Sequence, residues 1–414
     1  MEDNRKKSIY GSDDISAVID SNSFPDDEND YSDFYDHISL FYRILSFFFI
    51  ILFLIYIVIS SFKNAKEFNF ENFDYIARNF ALTLEELKDD SGYVIEYNID
   101  ANRDCALFGE GLAVCGESWL SIYSATGRLT CSETFKYKNP QIATSDKFVL
   151  IYDFSDFEYS LYNAFGKVYS EEIGEVIRGG AVSDSGYYAL ITSSEQYNTA
   201  VELYDDTFSL AYRFNKNQFV TDIDINDNYL LITSVSASSE NSYDTEIHVF
   251  DIISQKVLFS TLARNNFPLE CGIFAGGFAV IGDNYTSFYD FEGNIKGSFD
   301  YEGRAPIDLS LNDGNTVILF RSNSSDAECV SVILDDSCSL RYEHLLSEKV
   351  HDVEVCGEWS YYLMNDRLIY TNGNDLYDIP LNDINEGDKL LSLNDKSIYL
   401  CTVSKAPLFD LSND

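Results

Sequence analysis

A stretch reading DIDINDN carries the most suggestive set of metal-binding side chains in the sequence. Asp222, Asp224 and Asn226 place oxygen donors at alternate positions, as at the start of a calcium-binding loop. Such a loop also needs glycine at its sixth position and a bidentate glutamate at its twelfth. Here those positions are Asp227 and Thr233. We therefore keep Asp222, Asp224 and Asn226 only as metal candidates, because a strand followed by a turn explains the pattern more simply.

Motifs for catalysis or cofactor binding are missing from the sequence. It contains no H-E-x-x-H, no G-x-S-x-G and no G-x-x-x-x-G-K-[ST]. The histidines do not lie at spacings that pair metal ligands; they are His37, His248, His344 and His351. An isolated histidine is usually structural. We predict no catalytic residue and no cofactor, and we expect that the protein is not an enzyme.

The charge of the chain excludes one class of partner. With 69 acidic and 28 basic residues, the formal net charge is −41. Nucleic acid requires Lys and Arg side chains to neutralise its phosphates, so we predict no nucleic-acid partner. The acidity favours cations or basic partners, although it also serves simply to keep an aromatic-rich domain soluble.

The eight cysteines show no pattern typical of a zinc site or a small disulfide scaffold. No C-x-x-C occurs among them; they are Cys105, Cys115, Cys131, Cys271, Cys329, Cys338, Cys356 and Cys401. We predict that most are small buried apolar residues. The alternative is that one or two disulfides form if the domain lies outside the cell.

An apolar run at residues 44–62, ILSFFFIILFLIYIVISSF, predicts a transmembrane helix. Its 19 residues carry no charge. At about 1.5 Å per residue the helix would reach about 28 Å, close to the thickness of the hydrocarbon core. No A-x-A cleavage pattern follows the run, which favours an uncleaved signal anchor. We predict that residues 44–62 contact the lipid bilayer.

The segments on either side of this run differ in composition. Residues 1–43 are rich in Asp, Ser and Asn, so they are predicted to form a disordered acidic tail. Residues 63–90 are predicted to be a juxtamembrane linker that is partly helical. Apolar residues at spacings of three and four place that helix roughly at 72–88.

From residue 91 onward, short strands alternate with turns and an internal repeat appears. Each copy ends a strand with an apolar residue, usually an aromatic residue, and a turn former. The marker positions are Tyr123, Tyr162, Tyr204, Phe250, Tyr289, Ile333, Tyr370 and Phe409. Successive markers lie 37–46 residues apart. Such a period, with four strands per repeat, is typical of a β-propeller blade.

The repeat predicts an all-β fold, an eight-bladed β-propeller of four-stranded antiparallel blades over residues 91–414. The eighth unit ends without a fourth strand, and the spare strand at 93–99 is predicted to supply it and close the ring. A pair of β-sandwiches is the alternative architecture. We predict that Asp205, Asp251 and Asp290, which follow marker strands, form turns by accepting backbone N–H bonds.

The predicted order of segments in this chain is a tail, one span, a linker and a propeller, and residues 148–168 read FVLIYDFSDFEYSLYNAFGKV. In both respects the chain resembles uncharacterised bacterial single-pass membrane proteins with a WD40/quinoprotein-like propeller, the family called domain of unknown function 5711. The resemblance implies a propeller outside the cytoplasm and no assigned activity. Basic residues flank both ends of the span and do not fix its orientation. Partly from the resemblance, we expect a single-pass cell-membrane protein with a cytoplasmic N-terminus.

Three functions remain open at this point. The first, favoured by the lack of catalytic motifs, is an extracytoplasmic binding or scaffold module for an envelope protein, peptide or glycan. The alternatives are a transmembrane sensor and a propeller-type enzyme, such as a quinone-dependent dehydrogenase or a hydrolase. The loops at 234–244 and 321–327 are predicted to contact a ligand, because specificity usually resides on loops over a rigid frame. Fold alone does not choose among these functions.

Overall fold

The computed structural model describes residues 40, 42–55, 94–100, 103–238, 242–322, 328–373, 375–381 and 387–411. The chain forms two compact units, Met1–Ala81 and Leu82–Asp414. The described part of the first unit is a helix, α1, which comprises residues 40 and 42–55. The large apolar side chains of α1 are exposed, among them Phe47, Phe49 and Phe53.

Within the described residues, no helix has the length and apolar character needed to cross a membrane. Residues 56–62 of the predicted span lie outside the described residues. The same holds for residues 1–39 and 41 of the predicted tail and for the predicted linker helix at 72–88.

The second unit is an eight-bladed β-propeller of four-stranded antiparallel sheets, as predicted. Blades 1 and 2 comprise β2 (Asp104–Phe108), β3 (Gly111–Cys115), β4 (Trp119–Tyr123), β5 (Leu129–Thr134), β6 (Pro140–Thr144), β7 (Val149–Asp153), β8 (Glu158–Asn163) and β9 (Gly166–Glu172). Blades 3 and 4 comprise β10 (Ile177–Val182), β11 (Tyr188–Ser193), β12 (Thr199–Tyr204), β13 (Leu210–Lys216), β14 (Phe219–Ile225), β15 (Tyr229–Ala237), β16 (Tyr243–Asp251) and β17 (Lys256–Ala263).

The remaining blades follow the same order. Blades 5 and 6 comprise β18 (Pro268–Phe274), β19 (Gly277–Gly282), β20 (Tyr285–Tyr289), β21 (Ile295–Asp300), β22 (Pro306–Asn312), β23 (Asn315–Arg321), β24 (Cys329–Leu334) and β25 (Leu340–Leu346). Blades 7 and 8 comprise β26 (Asp352–Cys356), β27 (Trp359–Leu363), β28 (Arg367–Thr371), β29 (Tyr377–Pro380), β30 (Gly387–Asn394), β31 (Ser397–Thr402), β32 (Lys405–Asp410) and β1 (Val94–Glu96). Every predicted marker lies in the third strand of its blade.

The ring is closed by the spare strand, as predicted. β1 pairs antiparallel with β32, and Ile95 lies opposite Ala406. The strand is shorter than the predicted 93–99, because regular pairing ends at Glu96. Beyond it, the Tyr97 N–H still donates to the Ser404 carbonyl at 3.0 Å. Blade 8 therefore combines three strands from the C-terminal part of the chain with one from the N-terminal part.

The hydrophobic core is distributed between blades. Central strands such as β3 and β19 are buried along their whole length, so both faces of a blade are covered. One cluster packs Ile191 and Val201 of blade 3 against Ile223 and Ile232 of blade 4. Full burial of such a side chain stabilises the fold by roughly 1.5–3 kcal/mol. Burial on both faces around a closed ring confirms the propeller over the sandwich alternative.

The turns that follow the third strands are built as predicted. The Oδ1 atoms of Asp205 and Asp290 each accept backbone N–H bonds from residues two and four positions later. Asp251 Oδ1 accepts one from the residue three positions later. In two turns that follow third strands, the second position before the fourth strand has positive φ, and glycine supplies it at Gly127 (φ 73°) and Gly293 (φ 82°).

The prediction of a loop at 234–244 is wrong in extent. β15 continues to Ala237 and β16 begins at Tyr243, and these two residues pair with each other. The Ser238 N–H donates to the Ser242 carbonyl at 2.7 Å beyond the pair. The apolar and polar residues alternate well enough to extend the hairpin, so most of this segment is strand. Residues 323–327 of the second predicted loop lie outside the described residues.

Candidate functional site in the axial channel

The first strands of the blades surround the axis of the propeller. Neighbouring first strands contact one another around the ring, and β30 contacts β2. Between β18 and β22 the contact runs through Gly272 and Leu311. Because side chains alternate along a strand, the two sets of a first strand lie on opposite faces of its blade, beside the inner edge that borders the axis. In β14, Ile223 and Ile225 are buried in the core with blade 3, while Asp222 and Asp224 lie on the other face and reach the inner edge of blade 5.

Six carboxylates of four consecutive blades converge on this axis. We call them the axial carboxylate cluster: Asp222, Asp224, Glu270, Asp308, Asp352 and Glu354. All six are half-buried. Glu270 is influenced electrostatically by acids of blades 4, 6 and 7, namely Asp222, Asp224, Asp308 and Glu354.

Two members of the cluster join blade 4 to blade 5. Asp222 Oδ2 accepts the Cys271 N–H at 2.8 Å, and Asp224 Oδ2 accepts the Ile273 N–H at 2.7 Å. The Oδ1 atom of each carboxylate accepts the N–H of the following residue in its own strand. A first strand has no neighbour on its inner edge, so these carboxylates satisfy backbone donors that the sheet leaves unpaired.

The seam between blades 7 and 8 is made in the same way. Asp352 Oδ2 accepts the Leu390 N–H at 2.5 Å, and Glu354 Oε1 accepts the Ser392 Oγ–H at 2.9 Å. Glu270 differs, because its carboxylate accepts no hydrogen bond from any residue in the described part of the chain. Four of the six carboxylates thus hold blades together, and Glu270 does not.

Burial and the closeness of other carboxylates raise the pKa values of carboxyl groups in the cluster. Burial, followed by repulsion from neighbouring carboxylates, raises the pKa of Glu270 to about 8. Burial raises the pKa of Glu354 to about 7, and those of Asp222 and Asp352 to about 6. The channel therefore holds protons close to neutral pH, and a cation that enters it would displace them.

A lysine side chain provides positive charge on the opposite side of the axis. Lys389 Nζ in blade 8 donates to Asp104 Oδ1 of blade 1 at 2.8 Å and to the Cys105 carbonyl at 2.9 Å. Arg103 forms an ion pair with Asp388 at the same seam. The negative charge of the channel is therefore concentrated on blades 4 to 7.

One end of the channel opens into a cavity of about 490 Å³. We call it the turn mouth, because the turns between first and second strands line it, together with Asp224. Asp184 Oδ1 accepts the Asp146 N–H at 2.8 Å, and Asp227 Oδ1 accepts the Ser185 N–H at 2.8 Å. Each bond joins the turn of one blade to that of the next, so the acidic turns form a fixed rim.

A second cavity, of about 470 Å³, lies between blades 6 and 7 near the start of their first strands. Asp308 and Asp352 of the cluster line it beside Arg321, Lys349 and His351. Its charges are mixed, whereas the charged side chains that line the turn mouth are all acidic. The turn mouth is therefore the stronger candidate site for a cationic ligand.

The three predicted metal candidates fall in two neighbouring regions. Asp222 and Asp224 belong to the axial carboxylate cluster, and Asp224 also lines the turn mouth together with Asn226. Asn226 Oδ1 accepts the N–H groups of Asn228 and Tyr229 at 2.9 and 2.8 Å. Within the described ranges, no three His, Cys, Asp or Glu side chains are grouped so as to hold a metal ion.

The sequence reasoning missed the rest of the cluster, namely Glu270, Asp308, Asp352 and Glu354. Glu270, Asp352 and Glu354 each precede a buried residue in a first strand, and Asp308 precedes the partly buried Leu309. The available signal was an acid alternating with apolar residues just before the buried second strand of several consecutive repeats. That signal is apparent only when the repeats are compared with one another, because a single copy looks like an ordinary strand.

The sequence of the propeller matches a described family. Residues 87–377, well over half of the chain, match the family of unknown function DUF5711. The chain belongs to the DUF5711 family. This confirms the resemblance to domain of unknown function 5711 over the propeller. No curated protein matches this DUF5711 chain.

Solved structures share the fold of this DUF5711 protein at low identity. BamB from Moraxella catarrhalis has a TM-score of 0.53 at 9% identity, covering 78% of this chain and 99% of that one. The C-terminal WD40 domain of Sif2 has a TM-score of 0.53 at 10% identity, covering 78% and 99%. Apo AztD from Citrobacter koseri has a TM-score of 0.50 at 8% identity, covering 69% and 88%. These likenesses concern the propeller fold.

Proposed function

We propose that this DUF5711 protein is a binding module that takes a basic segment of a protein or peptide into the turn mouth. The observation that carries the proposal is the acidic rim formed by Asp146, Asp184 and Asp227 around a cavity of about 490 Å³. A Lys or Arg side chain that entered this cavity would approach Asp224 at the edge of the axial carboxylate cluster. Charge of one sign in a cleft attracts ligands of the opposite sign.

We propose binding rather than catalysis for a reason drawn from the same residues. Asp222, Asp224, Asp352 and Glu354 are held by hydrogen bonds between blades. Carboxylates in such fixed bonds stabilise a frame, and a rigid frame that presents loops is suited to recognition. The solved structures that share the propeller fold suggest no particular reaction for this chain.

We propose that residues 44–62 anchor this frame in the cell membrane, with the N-terminus in the cytoplasm and the propeller outside. Two features support the anchor, namely the run of 19 uncharged residues and the exposed apolar side chains of α1. The ligand would then be a basic segment of an envelope protein or peptide. Protease treatment of intact cells, with a tag at each end of the chain, tests the orientation. Protection of the C-terminal tag would contradict it.

Binding is tested with a fluorescent Lys/Arg-rich octapeptide and the purified full-length protein, by fluorescence anisotropy. We expect saturable binding that weakens at about 0.3 M salt, where surface charges are largely screened. The variant D146N/D184N/D227N keeps the turn acceptors but removes three charges from the rim. We expect its Kd to rise about tenfold, a loss of about 1.4 kcal/mol.

A matched variant, E195Q/E292Q/E302Q, removes three charges from exposed positions that do not line the turn mouth. We expect its Kd to stay within about twofold of the wild type, because distant exposed charges are screened. Equal weakening by both triple variants would show that net charge alone attracts the peptide. That result would refute the turn mouth as the binding site.

A further inference from the structure

The seam between blades 8 and 1 brings two cysteines into contact. Cys105 lies in β2 and Cys401 in β31, and both are free thiols in the structure. Their side chains are only 2% and 1% exposed. Both side chains belong to one buried cluster with Tyr97, and each thiol is the largest influence on the pKa of the other. One lies on a strand from the N-terminal part of the propeller and the other on a strand from its C-terminal part.

The surroundings of this pair favour thiolate formation on Cys105. Its pKa is lowered by the hydrogen bond from Cys401 and by the positive charges of Arg103 and Lys389. The Tyr97 hydroxyl lies 4.0 Å from Cys105 Sγ. Cys401 is fully enclosed, and the same hydrogen bond, with burial, raises its pKa. Cys105 is therefore the thiol that is set to react first as a nucleophile, and Cys401 is the thiol that reacts second.

Other buried cysteines have different partners. The Cys115 thiol donates to the Gly116 carbonyl at 3.6 Å, and the Cys338 thiol donates to the Thr286 carbonyl at 3.6 Å. Cys271 contacts Thr233 and Asp222. These thiols face carbonyl, hydroxyl or carboxylate groups, whereas Cys105 and Cys401 face each other.

We propose that Cys105 and Cys401 form a disulfide that fastens the ring across the seam where the two ends of the propeller meet. The oxidant is another disulfide, carried by a thiol oxidoreductase or a small molecule. The Cys105 thiolate attacks one of its sulfurs, the oxidant's S–S bond breaks, and one thiol leaves. The Cys401 thiolate then attacks Cys105 Sγ and releases the second thiol. Two thiols of the protein lose two protons and two electrons, and the oxidant gains them.

The position of the pair determines when this exchange occurs. Tyr97, which follows β1, covers Cys105, and the Tyr97 hydroxyl donates to the Thr402 carbonyl at 2.7 Å. Exchange therefore takes place before β1 has docked on β32, while the seam is still open. The pairing rests on the geometry of the seam, and only the supply of oxidant rests on the extracytoplasmic location proposed above.

The test uses the full-length protein, reduced, unfolded and then refolded in a glutathione redox buffer. Free thiols are alkylated, and the protein is digested with trypsin and a Glu-specific protease. Cleavage at Glu110 separates Cys105 from Cys115, and cleavage at Lys396 and Lys405 isolates Cys401. We expect the Cys105–Cys401 peptide as the main crosslink, with a Tm about 5 °C above that of protein refolded in reductant.

Three single variants accompany the mapping. Cys105→Ala and Cys401→Ala should each abolish the crosslink and the difference in Tm between oxidised and reduced protein. Cys329→Ala, at a cysteine that is 3% exposed, should retain both. A different dominant pairing, or eight alkylated cysteines in the wild type, would overturn the proposal. The wild-type mapping decides this even if a variant fails to fold.

Alkylation of acid-quenched cells separates this proposal from the proposed location. A Cys105–Cys401 crosslink in cells supports both. A pair that forms on refolding but is reduced in cells contradicts the extracytoplasmic location and leaves the pairing intact. A chain that binds the basic octapeptide but forms no crosslink in either setting contradicts the disulfide alone.

Discussion

The seam between blades 4 and 5 and the seam between blades 8 and 1 both hold neighbouring blades together, but they do so with different interactions. At the first, Asp222 and Asp224 accept backbone N–H bonds from the next blade. No cationic side chain is paired with either carboxylate among the described residues. The seam therefore gains hydrogen bonds between blades, but it also concentrates negative charge. Burial raises the pKa of both carboxyl groups.

The seam between blades 8 and 1 uses opposite charges instead. Lys389 pairs with Asp104, and Arg103 pairs with Asp388. Beside these ion pairs, β1 adds a strand from the N-terminal part of the propeller to blade 8. Where consecutive blades are joined by the continuous chain, the seam can be negatively charged because the chain itself holds the blades together. At the seam between blades 8 and 1, the three C-terminal strands of blade 8 have no such connection to blade 1, and there the acidic side chains are paired with basic ones. Stability at the acidic seams should thus depend on pH, and stability at the closure on side-chain packing and salt.

The largest effect is expected from disrupting the closure at Ile95. Ile95→Asp places a carboxylate where the side chain is 1% exposed, which should lower the free energy of unfolding by about 4 kcal/mol. Guanidinium denaturation followed by tryptophan fluorescence measures it. Val94→Asp is the matched control, because Val94 is 50% exposed, and it should cost less than about 1 kcal/mol. Equal losses at both positions would show that burial of β1 does not hold the ring.

The next effect concerns pH and the axial carboxylate cluster. The folded-state pKa of Glu270 is raised to about 8 from an ordinary value of 4.5. Its contribution is therefore fully present below about pH 4.5 and is lost as the pH rises through about 8. We expect Glu270→Gln to raise the free energy of unfolding by about 1–2 kcal/mol at about pH 9, because a tenfold change in a protonation equilibrium corresponds to about 1.4 kcal/mol before solvent screening.

The same variant should leave stability nearly unchanged at about pH 5, where Glu270 is protonated in the folded protein. Thermal unfolding at a series of pH values measures the difference. Glu292→Gln, at an exposed acid outside the channel, serves as the control. A parallel displacement of the whole pH profile in Glu270→Gln would contradict the assigned pKa.

A smaller effect is expected where a neutral group joins two blades. Ser310 Oγ accepts the buried Val355 N–H at 3.2 Å between blades 6 and 7. Ser310→Ala leaves that donor unpaired and should cost about 1 kcal/mol, independent of pH. A pH-dependent loss in denaturant midpoint would show that the variant disturbs the neighbouring carboxylates instead.

The smallest effect is expected for the ion pair at the closure. The side chains of Lys389 and Asp104 are 42% and 41% exposed, so Lys389→Met should cost about 0.5–1 kcal/mol at low salt. The difference from the wild type should shrink at about 1 M salt because of screening. A loss that persists at high salt would show that the aliphatic part of Lys389, and not its charge, supports the seam.

The repeat made most of the propeller predictable. Markers such as Tyr162 and Tyr289 combine an apolar third strand with a turn, and both patterns are local, so they can be read without knowing what packs where. The closing strand was predictable because the eighth unit lacked one. The length of the hairpin around Ala237 was not, since its polar residues are as compatible with a loop as with a strand.

The candidate site was much less predictable, for a physical reason. Asp222 and Asp224 attracted attention because they are close in sequence, and a local motif suggested calcium. Their actual neighbours, Glu270 and Glu354, lie in other blades. The convergence of these side chains depends on how the first strands are arranged around the axis, and no local spacing encodes it. The contact between Cys105 and Cys401 has the same origin.

The order in which the closing strands are synthesised has a consequence for biogenesis. Tyr97 and its partner Thr402 are 305 residues apart. At roughly 5–20 residues per second, translation of that interval takes on the order of 15–60 s. Throughout it, the growing chain carries an unsatisfied strand edge with Ile95 and Tyr97 uncovered. Assembly of the ring is therefore a late event that follows synthesis of the last blade, and the nascent chain needs protection from aggregation until then.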